Sequence, residues 1–271
     1  MTRAIMLAVI VGAIAFPARG QSPTPQTDPA DAVFQVITYD REPDKDGNFH
    51  GHGFGTGFFI SADGTALTAS HVVYLAAADP TKYRLLAVVG NQQAVIGNEF
   101  YDASVVCASR LPYDPTQRDP NRVGIPPGHD VAKIKVTPST AFEGRKDTLY
   151  YLLRTGERLA WARAHTDSLP GFPFLTISEN LSVHVRIIGF GAISALPYKW
   201  TAEGEFSETW TAQDGTPVFD VISQNPAGPG DSGAPVLNDK NEVVGMWAWH
   251  SPLSPDKGTA QRSAALINPC A

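Results

Sequence analysis

Three residues far apart in this chain could share one reaction. Ser232 sits in Gly228-Pro229-Gly230-Asp231-Ser232-Gly233, where three glycines and a proline crowd around a single hydroxyl. Glycines on both sides let the backbone bend sharply and approach a ligand closely, because they carry no Cβ. A serine on such a bend exposes its hydroxyl, and the N–H groups beside it can converge on a developing oxyanion. The hydroxyl alone is a weak nucleophile near neutral pH. It needs a base to take its proton, and the base needs an anion to hold its tautomer and steady its charge. His71, after Thr68-Ala69-Ser70, and Asp130, before Val131-Ala132, offer both. Taken singly, each has a plainer reading: an idle serine in a surface turn, a structural histidine, a turn-forming aspartate.

The elements that must carry them are short strands joined by turns. After Ser232, residues 234–237 (APVL), the polar turn Asn238-Asp239-Lys240-Asn241 and residues 242–249 read as a hairpin. Residues 53–60, the turn Ser61-Ala62-Asp63-Gly64 and a returning strand over 65–73 predict a second hairpin, with His71 at its exit. Asp130 opens a strand that places Val131 and Lys133 on one face and Ala132, Ile134 and Val136 on the other. Residues 31–39, 85–89, 94–96 and 181–188 read as further strands, and 205–222 as mostly strand and turn. Residues 111–128, with five prolines and two glycines, read as an extended surface loop. The one stretch with helical spacing is 148–166, where Leu149, Leu152, Leu153, Leu159 and Trp161 are apolar and Gly156 interrupts; it reads as a connector between two halves.

Composition agrees. Of 271 residues only 18% are charged, while 24 glycines and 22 prolines are spread along the chain, as suits many short strands. A net charge of −6 provides no basic footprint for nucleic acid or an anionic membrane. Residues 1–20 read as an export signal: Arg3, a thirteen-residue apolar run over 4–16 that is too short to span a bilayer, and small residues at Ala18 and Gly20. The alternative is a short membrane anchor. Residues 21–30 are a polar Pro/Thr leader with nothing to bury. Export permits a disulfide between the only two cysteines, Cys107 and Cys270, the alternative being two free thiols. Asn180-Leu181-Ser182 fits a glycosylation acceptor in a host that modifies exported proteins. The isolated cysteines and scattered histidines show no metal-ligand spacing, so neither metal nor cofactor is expected.

In order, TASHVV, HDVAKIKV, IIGFG and GPGDSGAPV resemble the landmarks of the trypsin/chymotrypsin-like serine proteases, and they span nearly all of the chain after residue 53. The resemblance implies an all-β fold of two six-stranded antiparallel barrels with the active site in the cleft between them. Residues 31–147 would form the first barrel, 148–174 the connector and 175–271 the second barrel. It carries the base onto His71, the orienting acid onto Asp130, the nucleophile onto Ser232, and the oxyanion hole onto the N–H groups of Gly230 and Ser232. Pro226 would floor the substrate pocket, Ala248, Trp249 and His250 would form its wall, and Gly258 would complete it. The implied activity is a secreted or periplasmic serine endopeptidase, a monomer without stable membrane association, acting on protein or peptide.

Departures from the pattern shape the expectation. TASHVV lacks the cysteine that animal members carry after the histidine, and no Arg-Ile-Val-Gly-Gly-like cleavage site precedes the first barrel. Asp231 therefore does not pair with a freshly cut N-terminus, and no zymogen step is expected. Ala248 stands where the family places a serine that hydrogen-bonds the acid, and His250 replaces a glycine at the pocket mouth. Pro226 supplies no charge, so a small or apolar side chain before the cut is expected, with an acidic one as the alternative through His250. Two other readings differ in class. One is a protease-like binding module without turnover. The other is an α/β-hydrolase esterase using Ser232, Asp239 and His250, which would need a helix after the serine.

Overall fold

Strand β1 (Val33–Asp40) is buried from Val33 through Thr38 and bonded along both edges, so its near-continuous run of apolar and β-branched residues has protein on both faces. The computed structural model describes residues 28–42, 45, 50–90, 98–111, 129–139, 148–152, 158–191, 199–223, 230–250, 257–267 and 269. Around β1 stand β2 (Gly51–Phe59), β3 (Thr65–Thr68), β4 (Tyr83–Val89), β5 (Asn98–Ala108) and β6 (Ala132–Thr137). They run in the order β4-β1-β2-β3-β6-β5, and pairing of β4 with β5 closes the ring. The second barrel, also closed, comprises β9 (His184–Gly189), β10 (Trp200–Thr211), β11 (Pro217–Ile222), β12 (Pro235–Leu237), β13 (Val243–His250) and β14 (Lys257–Arg262). Both are antiparallel, as expected: closure removes the unpaired edges that open sheets must protect.

Two elements differ from the local pattern. The described residues of 148–166 do not form a helix. They make β7 (Thr148–Leu152) and β8 (Arg158–Ala164), an antiparallel pair joined to the first barrel because β8 lies parallel to β5. Backbone partners along β5 decide the outcome over the local spacing of apolar residues. The strand expected over 65–73 stops at Thr68, and helix α1 (Ser70–Ala78) takes over. Ala69 at its N-cap has no side chain to satisfy the first-turn N–H groups; for the His71 N–H that service comes from Asp130, 59 positions beyond His71. A second helix, α2 (Ser263–Ile267), follows β14. Residues 1–27, 94–96 and 112–128, where the export signal, most of the leader, a short strand and nearly all of the proline-rich loop were expected, lie outside the described residues. The end of the leader differs from expectation, since Pro29–Ala32 form a 3-10 turn and Ala30 is buried in the main apolar cluster.

A strap over 165–183 binds the barrels together. Phe172 stacks on Phe59 with ring centroids 4.0 Å apart, and Phe59 meets Phe34 at 4.4 Å. Leu175 N–H donates to the Phe59 carbonyl, and Val243 N–H of the second barrel donates to the Thr176 carbonyl. The main apolar cluster accordingly runs from Phe34, Phe58 and Phe59 through to Leu237, Val243 and Met246 of the other barrel. Cys107 is disulfide-bonded; Cys270, the chain's one other cysteine, lies outside the described residues. Replacing the fully buried Phe59 by alanine removes the ring common to both stacks, and denaturant unfolding should record a loss of about 3–5 kcal/mol.

Candidate active site

His71 lies in the first turn of α1, and Asp130 lies two residues ahead of β6. The Asp130 carboxylate serves His71 twice: Oδ1 accepts its main-chain N–H at 2.9 Å, and Oδ2 accepts from ring Nδ1 at 2.6 Å. An ionised carboxylate only accepts, so the ring proton sits on Nδ1 and the neutral imidazole presents the Nε2 lone pair. Ser70, fully buried, fixes the same corner: its Oγ donates to the Val131 carbonyl at 2.7 Å, and its N–H donates to the Asp130 carbonyl. The side chains of His71 and Asp130 are 26% and 11% exposed, so a substrate can reach the imidazole. Burial disfavours the imidazolium. The charge and hydrogen bond of Asp130 outweigh it and hold His71 above the ordinary histidine value.

Ser232 is half-buried on a turn between Gly230 and Gly233, whose φ values of +99° and +90° are open to glycine at little cost. Strand β2 ties this turn to the first barrel. Thr56 N–H donates to the Ser232 carbonyl at 2.9 Å, and Thr56 Oγ1 donates to the Gly230 carbonyl at 2.9 Å. The same Oγ1 accepts Phe190 N–H, while the Thr56 carbonyl accepts from the Thr68 hydroxyl at 2.7 Å. The approach is close enough to need glycine. A Cβ on Gly55 would fall 2.5 Å from a Val72 methyl and 3.0 Å from the Ser232 carbonyl oxygen. On Gly233 it would fall 2.2 Å from the Thr56 carbonyl oxygen and 2.9 Å from Ala69 nitrogen. The serine turn thus lies against Ala69 and, across Gly55, against Val72, the residues that bracket His71.

Asp231, between the two candidate oxyanion donors, is wholly buried. Trp200 Nε1–H donates to its Oδ1 at 2.5 Å. Gly189 and Gly191 of the IIGFG landmark make room for the carboxylate; a Cβ on Gly189 would lie 2.6 Å from Oδ1. A carboxylate without exposure needs such donors, since stripping its water uncompensated would cost several kcal/mol.

Of the expected pocket residues, Pro226 lies outside the described residues. Ala248 is half-buried at a bulge, where the pairing of β13 with β14 shifts between Trp247 and Trp249. Trp249 pairs with Thr259 and His250 with Gly258. Asp239 lies in the exposed turn after β12, and Ser232 is followed by strand β12 and not by a helix, which removes the α/β-hydrolase reading. Among the described residues no group of three or more His, Cys, Asp and Glu side chains is arranged to hold a metal. Two contributors were not legible beforehand. Thr56 had one sign, a polar residue between two glycines just ahead of Phe58 and Phe59, and Trp200 had none.

A family model described as a trypsin-like peptidase domain matches residues 55–246. No curated protein matches the sequence. Among solved structures, an inactive serine-to-alanine mutant of Rv3671c from M. tuberculosis H37Rv is similar with a TM-score of 0.51 and 16% identity, covering 89% of this chain and 85% of that one. The serine endoprotease from Yersinia pestis has the same TM-score and identity over 88% of this chain and 61% of its own. Deg5 has a TM-score of 0.51 and 13% identity over 88% and 87%. Likeness at such identity speaks to fold alone. The family match, by contrast, runs from the glycine wedged between Val72 and Ser232 to β13 beyond the serine turn, and on that match the chain belongs to the trypsin-like peptidase domain family.

Proposed function

We propose that this protein is a serine endopeptidase that cleaves peptide bonds through Ser232, His71 and Asp130. The observation that carries the reading is the 2.6 Å bond from His71 Nδ1 to Asp130, set in a helix turn that the Ser232 turn approaches at Ala69 and, across Gly55, at Val72. In the first step His71 Nε2 takes the Ser232 proton as Oγ bonds to the substrate carbonyl carbon, and Asp130 steadies the imidazolium. The N–H groups of Gly230 and Ser232 receive the negative charge that gathers on the carbonyl oxygen. His71 then protonates the departing amine, the C–N bond breaks, and an acyl-enzyme remains on Ser232. Water attacks the acyl carbon, giving its proton to His71, and the acid product leaves as that proton returns to Oγ.

Further parts of the reading concern substrate and location. Trp247, almost completely buried, lays its indole so close to Gly258 that a Cβ there would fall 2.0 Å from the ring. A filled wall suits a small or apolar side chain before the cut, in keeping with the uncharged Pro226. Export follows from the signal-like residues 1–20, and it suits the disulfide at Cys107.

A fluorophosphonate probe should label the native protein and leave Ser232→Ala unlabelled, and that substitution should lower kcat by roughly 10⁴–10⁶. Labelling that survives Ser232→Ala would mean that the nucleophile is elsewhere. The pH dependence has a definite sign. Because Asp130 raises His71, the unprotonated base is reached at higher pH, so kcat/KM should rise with a midpoint above about 6.5. In Asp130→Asn the midpoint of the His71 NMR titration should move down; an unmoved midpoint would contradict the coupling. A peptide-library profile should favour small or apolar residues before the cut, and dominance of Lys or Arg would refute the pocket reading.

A further inference from the structure

Asp130 has a need that its own barrel does not meet. It stands just before β6, whose last rungs pair Ala132 with Thr68 of β3 and with Ala108 of β5. Among the described residues no strand of the first barrel reaches its main-chain N–H, and from that barrel its carbonyl receives the 3.3 Å bond from Ser70 N–H. The second barrel supplies the partner. Gln261 of β14 is completely buried, and its side-chain amide bonds both groups: Oε1 accepts Asp130 N–H at 2.9 Å, and Nε2 donates to the Asp130 carbonyl at 3.1 Å. One donor and one acceptor on a planar group copy what a neighbouring strand would offer.

Adjacent contacts run the same way. His129 N–H donates to the Asp214 carboxylate at 2.6 Å, and His129 Nε2 lies 3.3 Å from the Ala265 carbonyl of α2. Residues 129 and 130 are therefore tied to the second barrel as well as to the first, where Ser109 Oγ donates to the His129 carbonyl at 2.8 Å. Volume alone does not call for an amide at 261, since methionine would occupy nearly the same space; the two bonds are what the amide adds.

We propose that Gln261 is a positioning residue for catalysis: by clamping the main chain of Asp130 it registers the His71–Asp130 pair of the first barrel against Ser232 of the second. The inference rests on the serine-peptidase reading and deepens it. Gln261 touches neither substrate nor imidazole. It acts through Asp130, whose carboxylate orients the ring and caps the helix that carries it. Ala248 lies where the resemblance would place a hydroxyl on the Asp130 carboxylate; the second barrel holds the acid here by its main chain.

The test is Gln261→Met, which keeps the volume and removes both bonds. Active sites are counted with the fluorophosphonate probe, so that kcat is expressed per competent site. The His71 Nδ1–H resonance is followed by proton NMR, which needs no substrate, and thermal unfolding is recorded alongside. Loss of register should lower kcat per site by about 10- to 100-fold with KM within about threefold, and should shift the Nδ1–H resonance. If kcat per site stays within about twofold of the native value, or the resonance does not move, the proposal is overturned, even where the melting temperature falls. Should the methionine variant not fold, Gln261→Asn, which keeps the amide but withdraws it by one methylene, is held to the same criteria. If the native protein neither labels nor cleaves, the peptidase reading fails, and the resonance alone then decides whether Gln261 orients His71.

Discussion

The site depends on one carboxylate doing two things for one residue. Asp130 caps the first turn of α1 through His71 N–H and fixes the His71 ring through Nδ1, at 2.9 and 2.6 Å. The cap explains why the chain turns from β3 into a helix at Ser70 when no side chain at Ala69 can start one. The ring bond determines which nitrogen keeps its lone pair. Helix start and tautomer are therefore not independent features of the fold. Moving Asp130 by even an ångström would loosen both.

That dependence carries across the cleft. The Ser232 turn belongs to the second barrel and His71 to the first, so the two approach each other only if the barrels are held in register. Thr56 does much of this, using its N–H, its carbonyl and both capacities of its hydroxyl to join Ser232, Gly230, Phe190 and Thr68. Full satisfaction matters because Thr56 is entirely buried, where an unpaired polar atom would cost about 1–3 kcal/mol. The glycines at 55 and 233 bring the main chains together, and the strap stacking Phe172 on Phe59 keeps the apolar cluster continuous beneath them. Gln261 and Asp214 extend the same pattern to the segment that carries the acid.

Charge at the site is arranged by the same contacts. Two buried or half-buried carboxylates, Asp130 and Asp231, flank the working groups, and each faces a ring N–H: His71 Nδ1 for one and Trp200 Nε1 for the other. A cation is matched to Asp130 only when His71 takes up a proton, so the acid's influence on the base is built into its resting geometry. The indole at Asp231 supplies a neutral donor that does not titrate. It gives the carboxylate between Gly230 and Ser232 a permanent partner at any pH.

Much of this was legible in the chain itself. Local chemistry determined the hairpin after Ser232, the glycine-rich turn around it, the alternation of β6 and a chain of many short strands, because strand period and turn residues act over a few positions. The two-barrel arrangement was implied by the resemblance. His71, Asp130 and Ser232 stand out in the sequence by type and order, and the family match agrees with the resemblance. Tertiary structure decided what depends on distant partners. Residues 148–152 and 158–164 became strands because β5 offers the pair a backbone edge, against a helical spacing of apolar residues. The strand at His71 became a helix because its cap comes from Asp130. Thr56, Trp200 and Gln261 acquire meaning only when folding sets a buried donor or acceptor opposite each, and no count of intervening residues reveals a partner that lies in the other barrel.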